Sequence, residues 1–231
     1  MNTVMNRAVW IGIAVLSAGL VTGEYAGALH FDWLEVIGFI TGLVSVWLAV
    51  GNSHWNWPIG NINSAAYMVL FLNGRLYANT LLQFLFIVLG FWGWYQWLRG
   101  GNRATPRSIT PVTRREGLVI AAVTPLSTAL AILLVTAING AAPFWDTFTT
   151  VLSLIATAVM ARRQVESWLI WISADVIYVV FFAASGLYLT CLLYMIFLAM
   201  SARGYWEWRQ ELNQRGADDA GRDRRQVLPI S

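Results

Sequence analysis

The chain has 231 residues, of which 58% are hydrophobic and 12% charged, and its net charge of +3 comes from a basic set made of arginine alone. A soluble domain carries about 25% charged residues, so this chain has too little charge to face water on all sides. The arginines form no stripe interleaved with aromatics, which excludes a nucleic-acid partner. The motifs G-x-x-x-x-G-K-[ST], H-E-x-x-H and G-x-S-x-G are missing. The chain is therefore not expected to be an enzyme, and no metal or cofactor is expected.

A helix needs about 20 apolar residues to cross a bilayer core. The apolar blocks predict eight spans, at 8–28, 33–50, 57–73, 76–98, 117–138, 143–160, 166–184 and 187–208. The start has a basic residue (Arg7), an apolar stretch and a late Ala-Gly-Ala, the outline of a signal peptide. Ala8 to Ala28 is long enough to span, and we expect it to be retained as a helix. Arginine groups precede the first span, lie between the fourth and fifth (Arg99, Arg103, Arg107, Arg114, Arg115), follow the sixth (Arg162, Arg163) and follow the eighth (Arg209, Arg215, Arg222, Arg224, Arg225). Eight spans with a cytoplasmic N-terminus put every group on the cytoplasmic side of an inner membrane, and one span more or fewer breaks that agreement. The polar tail 209–231 is expected to be disordered.

The chain resembles itself when shifted by 111 residues. Trp57 falls on Trp168, Tyr67 on Tyr178, Phe71 on Phe182, Leu76-Tyr77 on Leu187-Tyr188, Gly93 on Gly204 and Trp97 on Trp208. Shared hydrophobicity aligns leucines, but not aromatic landmarks at fixed spacing. The expected organisation is an N-terminal accessory transmembrane helix (1–32), a three-helix unit (33–98), a basic loop and linker helix (99–142), a second three-helix unit (143–208) and the tail (209–231). The fold class is all-α and polytopic, a SWEET-like 3+1+3 arrangement of parallel repeats with the substrate between the halves.

Polar residues within hydrocarbon each need a reason. Trp168, Trp171, Asp175 and Tyr178 follow i, i+3, i+7, i+10 spacing and share one helix face. A carboxylate among aromatic rings suits an organic cation; an Asp hydrogen-bonded to another helix is the plainer alternative. The matching face of the first unit holds Trp57, Gly60, Asn61, Ser64 and Tyr67, and the third helices offer Asn79 and Gln83 against Thr190 and Tyr194. Amides and hydroxyls there suit sugar hydroxyls, or else act as helix–helix glue. Trp92, Trp94, Tyr95, Trp97, Tyr205, Trp206 and Trp208 precede arginine-rich ends and are expected to be interfacial belt anchors. Cys191 is read as a packing residue, and His30 and His54 are too far apart for a metal pair.

The runs Asn56-Trp57-Pro58-x-Gly60, Leu76-Tyr77-Ala78-x-x-Leu81-Leu82-Gln83 and Gly93-Trp94-Tyr95-x-Trp97 resemble the first half of the PnuC vitamin transporters. Phe144-Trp145-Asp146, Val165-Glu166-Ser167-Trp168-Leu169-x-Trp171-Ile172, Gly186-Leu187-Tyr188 and Leu193-Tyr194 resemble the second half, so the resemblance covers about residues 33–208. It implies uptake of nicotinamide riboside or a related vitamin by facilitated diffusion, with a separate cytoplasmic kinase trapping the product. It carries Trp57, Asn61, Asn79, Gln83, Trp168, Trp171 and Tyr194 to a binding face. Asp175, at a position not uniformly acidic in the family, ranks cationic nicotinamide riboside first, thiamine second and neutral riboflavin third. A membrane sensor or enzyme that binds an aromatic ligand without moving it is the rival from another class. The lipid bilayer and the small-molecule vitamin are the expected partners, with a homo-oligomer possible.

Overall fold

The structure is a computed structural model and describes residues 3–25, 33–99, 108–137, 144–185 and 188–227. Eight helices make up these residues: α1 (Thr3–Tyr25), α2 (Trp33–Val50), α3 (Asn56–Asn73), α4 (Tyr77–Arg99), α5 (Arg114–Ala137), α6 (Phe144–Ala161), α7 (Ser167–Ala184) and α8 (Tyr188–Val227). Six are long and apolar enough to cross a membrane: α1, α2, α4, α5, α6 and α7. The polytopic all-helical class expected from the sequence is therefore observed. In α3 the amides of Asn56, Asn61 and Asn63 dilute the apolar character.

Local rules place the helix ends. Pro58 lies in the first turn of α3, where its missing N–H has no intrahelical partner to lose. Thr113 and Glu116 form a capping box at the start of α5: Thr113 N donates to Glu116 Oε2 at 2.9 Å, and Glu116 N donates to Thr113 Oγ1 at 3.3 Å. The segment 209–227, expected to be disordered, continues α8 as helix. An ion pair one turn apart, Arg215–Glu211, supports that extension.

Helix packing follows the 111-residue offset. Within the halves, α2 packs on α3 and α3 on α4, as α6 packs on α7 and α7 on α8. Between the halves, α2 packs on α8 and α4 on α6, contacts that exchange under the same shift. The equivalence extends to α1, read in the sequence as an accessory. It packs on α2 as α5 packs on α6, and α5, 114–137, moved back by 111 starts at the first residue of α1, 3–25, and ends one residue beyond its last.

The core lies at one end of the bundle, where the α2–α3 and α6–α7 turns meet the last membrane turns of α4 and α8. Trp57 and Trp97 meet edge to face at 5.6 Å, Trp168 and Trp208 do the same at 5.5 Å, and Trp97 and Trp208 join the pairs at 5.9 Å. Trp97 Nε1 donates to the Met160 carbonyl at 3.1 Å, and Trp208 Nε1 donates to the Ala49 carbonyl at 3.2 Å. Both bonds cross between the halves, and the acceptors are also 111 residues apart. Trp97 and Trp208 are only 2% and 1% exposed, so they are core residues and not belt anchors. Tyr95 and Trp206 on the same helices do face outward.

Glycine makes this packing possible. A Cβ on Gly93 would sit 2.5 Å from the Trp57 ring, and one on Gly204 would sit 2.5 Å from the Trp168 ring. The adjoining turns also match: Asn52 and Arg163 hold φ of 55° and 56°, the left-handed region. Arg163 stacks its guanidinium 4.3 Å over the Trp97 ring. Below the cluster the segment before α5 is tied to the α6–α7 turn. Thr110 N donates to Arg163 O at 3.0 Å, Val165 N to Thr110 O at 3.1 Å and Val112 N to Glu166 Oε2 at 2.7 Å, with Ile109 buried beneath.

Candidate functional site

A cavity of about 720 Å³ lies between the halves and rests on this tryptophan floor. It is lined by α2, α3 and α4 from one half and α6, α7 and α8 from the other. At the far end it reaches Asn79 and Asp146, in the first turns of α4 and α6, and Asn79 is exposed there. Its size falls within the roughly 300–1,000 Å³ usual for small-molecule sites.

Ten of the eleven candidate residues line it: Trp57, Asn61, Tyr67, Asn79, Gln83, Trp168, Trp171, Asp175, Tyr178 and Tyr194. The side chain of the eleventh, Thr190, lies outside the described residues. Helical periodicity explains the convergence, because Trp168, Trp171, Asp175 and Tyr178 stack along one face of α7. Trp57, Asn61, Ser64 and Tyr67 do the same along α3.

The two walls carry different chemistry. On α7 and α8, Tyr178 and Tyr194 lie 4.5 Å apart, Phe182 stacks on Tyr194 at 5.3 Å, and Phe197 meets Tyr194 at 6.0 Å. Asp175 is 5% exposed, and its Oδ2 accepts a 3.0 Å hydrogen bond from Ser201 Oγ. On α3, Tyr67 stacks on Phe71 at 5.8 Å, and Asn63 Nδ2 donates to the Gly38 carbonyl. Three donors on the wall, Trp57 Nε1, Trp168 Nε1 and Asn61 Nδ2, have no protein acceptor among the described residues. Among the described residues of the lining the charged ones, Asp146 and Asp175, are acidic, and none is an arginine.

Sequence reasoning missed the α2 and α6 walls. Gly38, Gly42, Ser45 and Ala49 run down α2, and Asp146, Thr150, Ser153 and Thr157 down α6. The signal was available: both sets follow i, i+4, i+7, i+11 spacing, a stripe of small or hydroxylated residues along one face, headed on α6 by the carboxylate of Asp146. On α6 two of these hydroxyls are engaged by their own helix, Ser153 Oγ donating to Thr149 O at 2.9 Å and Thr157 Oγ1 to Ser153 O at 2.8 Å. Ser201 was missed as well, since nothing local marks it as the partner of Asp175.

Residues 32–210 match the family model described as nicotinamide mononucleotide transporter. The chain is 31% identical over 218 residues to the nicotinamide riboside transporter PnuC of Escherichia coli (strain K12), across 83% of this chain and 91% of that protein. It belongs to the PnuC family of transporters. Another relative is the riboflavin/roseoflavin transporter RibM of Streptomyces davaonensis, 27% identical over 183 residues, covering 78% of this chain and 85% of that one. The crystal structure of the vitamin B3 transporter PnuC superposes with a TM-score of 0.74 at 21% identity, covering 93% of this chain and 94% of that chain. That likeness bears on the fold. It places this transporter's helices in an arrangement already seen in a crystal.

Proposed function

We propose that this transporter carries nicotinamide riboside across the inner membrane by facilitated diffusion, and that a separate cytoplasmic kinase traps the product. The observation that carries the proposal is Asp175, a carboxylate facing a cavity walled by Trp168, Trp171, Tyr178 and Tyr194, with no basic residue among the described residues of the lining. A pyridinium ring placed there gains cation–π attraction and a counter-charge. The amides of Asn61, Asn79 and Gln83 then meet the ribose hydroxyls. Relatives that carry the name nicotinamide riboside transporter support the choice.

The arginine clusters support an orientation in which the tryptophan floor and both termini face the cytoplasm. The cavity then opens outward, and the two three-helix units are parallel repeats about an axis along the membrane normal. A second cargo, riboflavin, has support in the relative RibM, although a neutral isoalloxazine leaves Asp175 without a counter-ion.

The test is uptake of radiolabelled nicotinamide riboside into proteoliposomes, with thiamine and riboflavin as competitors. Saturable equilibration down the gradient, competed least by riboflavin, is expected. Binding without equilibration points to a sensor, and stronger competition by riboflavin or thiamine than by the riboside reassigns the cargo. Asp175→Asn is expected to weaken the riboside by about 1–3 kcal/mol, because it removes the charge from a desolvated pairing.

A further inference from the structure

The two halves hold different groups at the same depth. The residue 111 positions before Asp175 is Ser64, and the residue 111 positions before Ser201 is Gly90. Between α7 and α8, Ser201 donates to Asp175, with the two residues 4% and 5% exposed and both lining the cavity. Between α3 and α4 no hydroxyl fits at the matching place. The Asn61 side chain covers Gly90 so closely that a Cβ there would collide with the amide, and Asn61 Nδ2 keeps no protein partner. One wall therefore offers a carboxylate held by a hydroxyl, and the other an amide with a donor to spare.

A cage with strict two-fold symmetry would accept an asymmetric cargo in either of two orientations. We infer that Ser201 is a positioning residue that breaks this degeneracy. By engaging Asp175 Oδ2 it fixes the carboxylate rotor and leaves Oδ1 for the cationic end of a pyridinium nucleoside, whose hydroxyls then face Asn61, Asn79 and Gln83. A carboxylate held before the cargo arrives loses no rotamer freedom on binding, and its pull acts on the charged ring alone. The inference rests on the cationic cargo of the proposed function.

The experiment measures binding of nicotinamide riboside and of its uncharged 1,4-dihydro form to the purified full chain and to four variants, Ser201→Ala, Ser201→Thr, Ser201→Cys and Asp175→Asn. Wild type is expected to prefer the cation. Ser201→Ala is expected to weaken the cation by about threefold to tenfold, the cost of fixing one side-chain rotor on binding, and to leave the neutral form nearly unchanged. Ser201→Thr keeps the hydroxyl and restores the preference, which a packing role would not predict for a larger side chain. Ser201→Cys, isosteric but a weaker donor, falls between and serves if the alanine variant does not fold. If Ser201→Ala and Ser201→Cys keep the wild-type ratio while Asp175→Asn loses it, the positioning role is overturned and the cationic cargo stands. If wild type binds neither compound, the proposed function falls and this inference with it.

Discussion

A methyl group added at Gly204 tests whether the tryptophan floor is as tightly closed as its geometry says. The new Cβ would lie 2.5 Å from the Trp168 ring and 2.6 and 2.7 Å from two further ring atoms. Carbon atoms in contact settle at about 3.5–4.0 Å, so the ring or the helix must move by about 1 Å. Trp168 is 1% exposed and already meets Trp208 edge to face at 5.5 Å, so no free space receives it. Overpacking of this kind costs about 1–3 kcal/mol, against about 1 kcal/mol regained because alanine favours helix over glycine. The expected net is destabilisation by up to about 2 kcal/mol, read as a lower unfolding midpoint of the purified protein in one detergent. Gly93→Ala should match it, since its Cβ meets the Trp57 ring at the same 2.5 Å. Gly216, with nothing within 4 Å of its Cβ, isolates the helix-propensity gain: Gly216→Ala should be neutral to stabilising. If Gly204→Ala and Gly93→Ala move with Gly216→Ala, the floor has slack and its described packing is wrong.

The remaining expectations concern the same end of the molecule and the site above it. Trp97→Phe and Trp208→Phe each remove an indole hydrogen bond to a carbonyl of the opposite half, Met160 or Ala49, which keeps only its own turn bond from Arg163 N or Asn52 N, and each should cost about 1 kcal/mol in the same unfolding assay. Their double variant should depart from additivity, because the two rings touch at 5.9 Å. Thr113→Ala removes the cap of α5 and should cost about 1 kcal/mol, with the loss concentrated in amide exchange at the first turn of α5. Glu166→Gln keeps an acceptor for Val112 N but removes its charge, so a smaller loss, below that of Glu166→Ala, is expected.

Much of the fold and of the site was legible because both rest on helical periodicity and on one duplication. The face Trp168, Trp171, Asp175, Tyr178 needs only 100° per residue to be drawn, and the structure sets all four on the cavity wall. The small-residue wall of α2 was harder to see, because Gly38 and Gly42 carry no chemistry of their own and act by making room. A Cβ at Gly38 would meet the Tyr67 ring at 2.6 Å, so this glycine seats an aromatic of the neighbouring helix. The equivalence of α1 and α5 was hidden for a related reason. Their exposed apolar faces constrain composition but not identity, so the shared position survives where the shared letters do not.

The belt assignment failed at Trp97 and Trp208 for a reason that the sequence itself contained. Tryptophan near an arginine-rich helix end is ambiguous between an interface anchor and a packed ring, and position along the chain does not separate the two. A glycine one turn earlier does. Gly93 and Trp97 share a face, as do Gly204 and Trp208, and a lipid-facing ring gains nothing from a bare backbone beside it. A ring from another helix does: Trp57 fills the space over Gly93 and meets Trp97, and Trp168 fills the space over Gly204 and meets Trp208. Tyr95 and Trp206, with no glycine four residues before them, point outward. The recurrence of G-x-x-x-W at the 111-residue offset is therefore a packing signature, and it marks the end of the cavity that the protein keeps shut in this form.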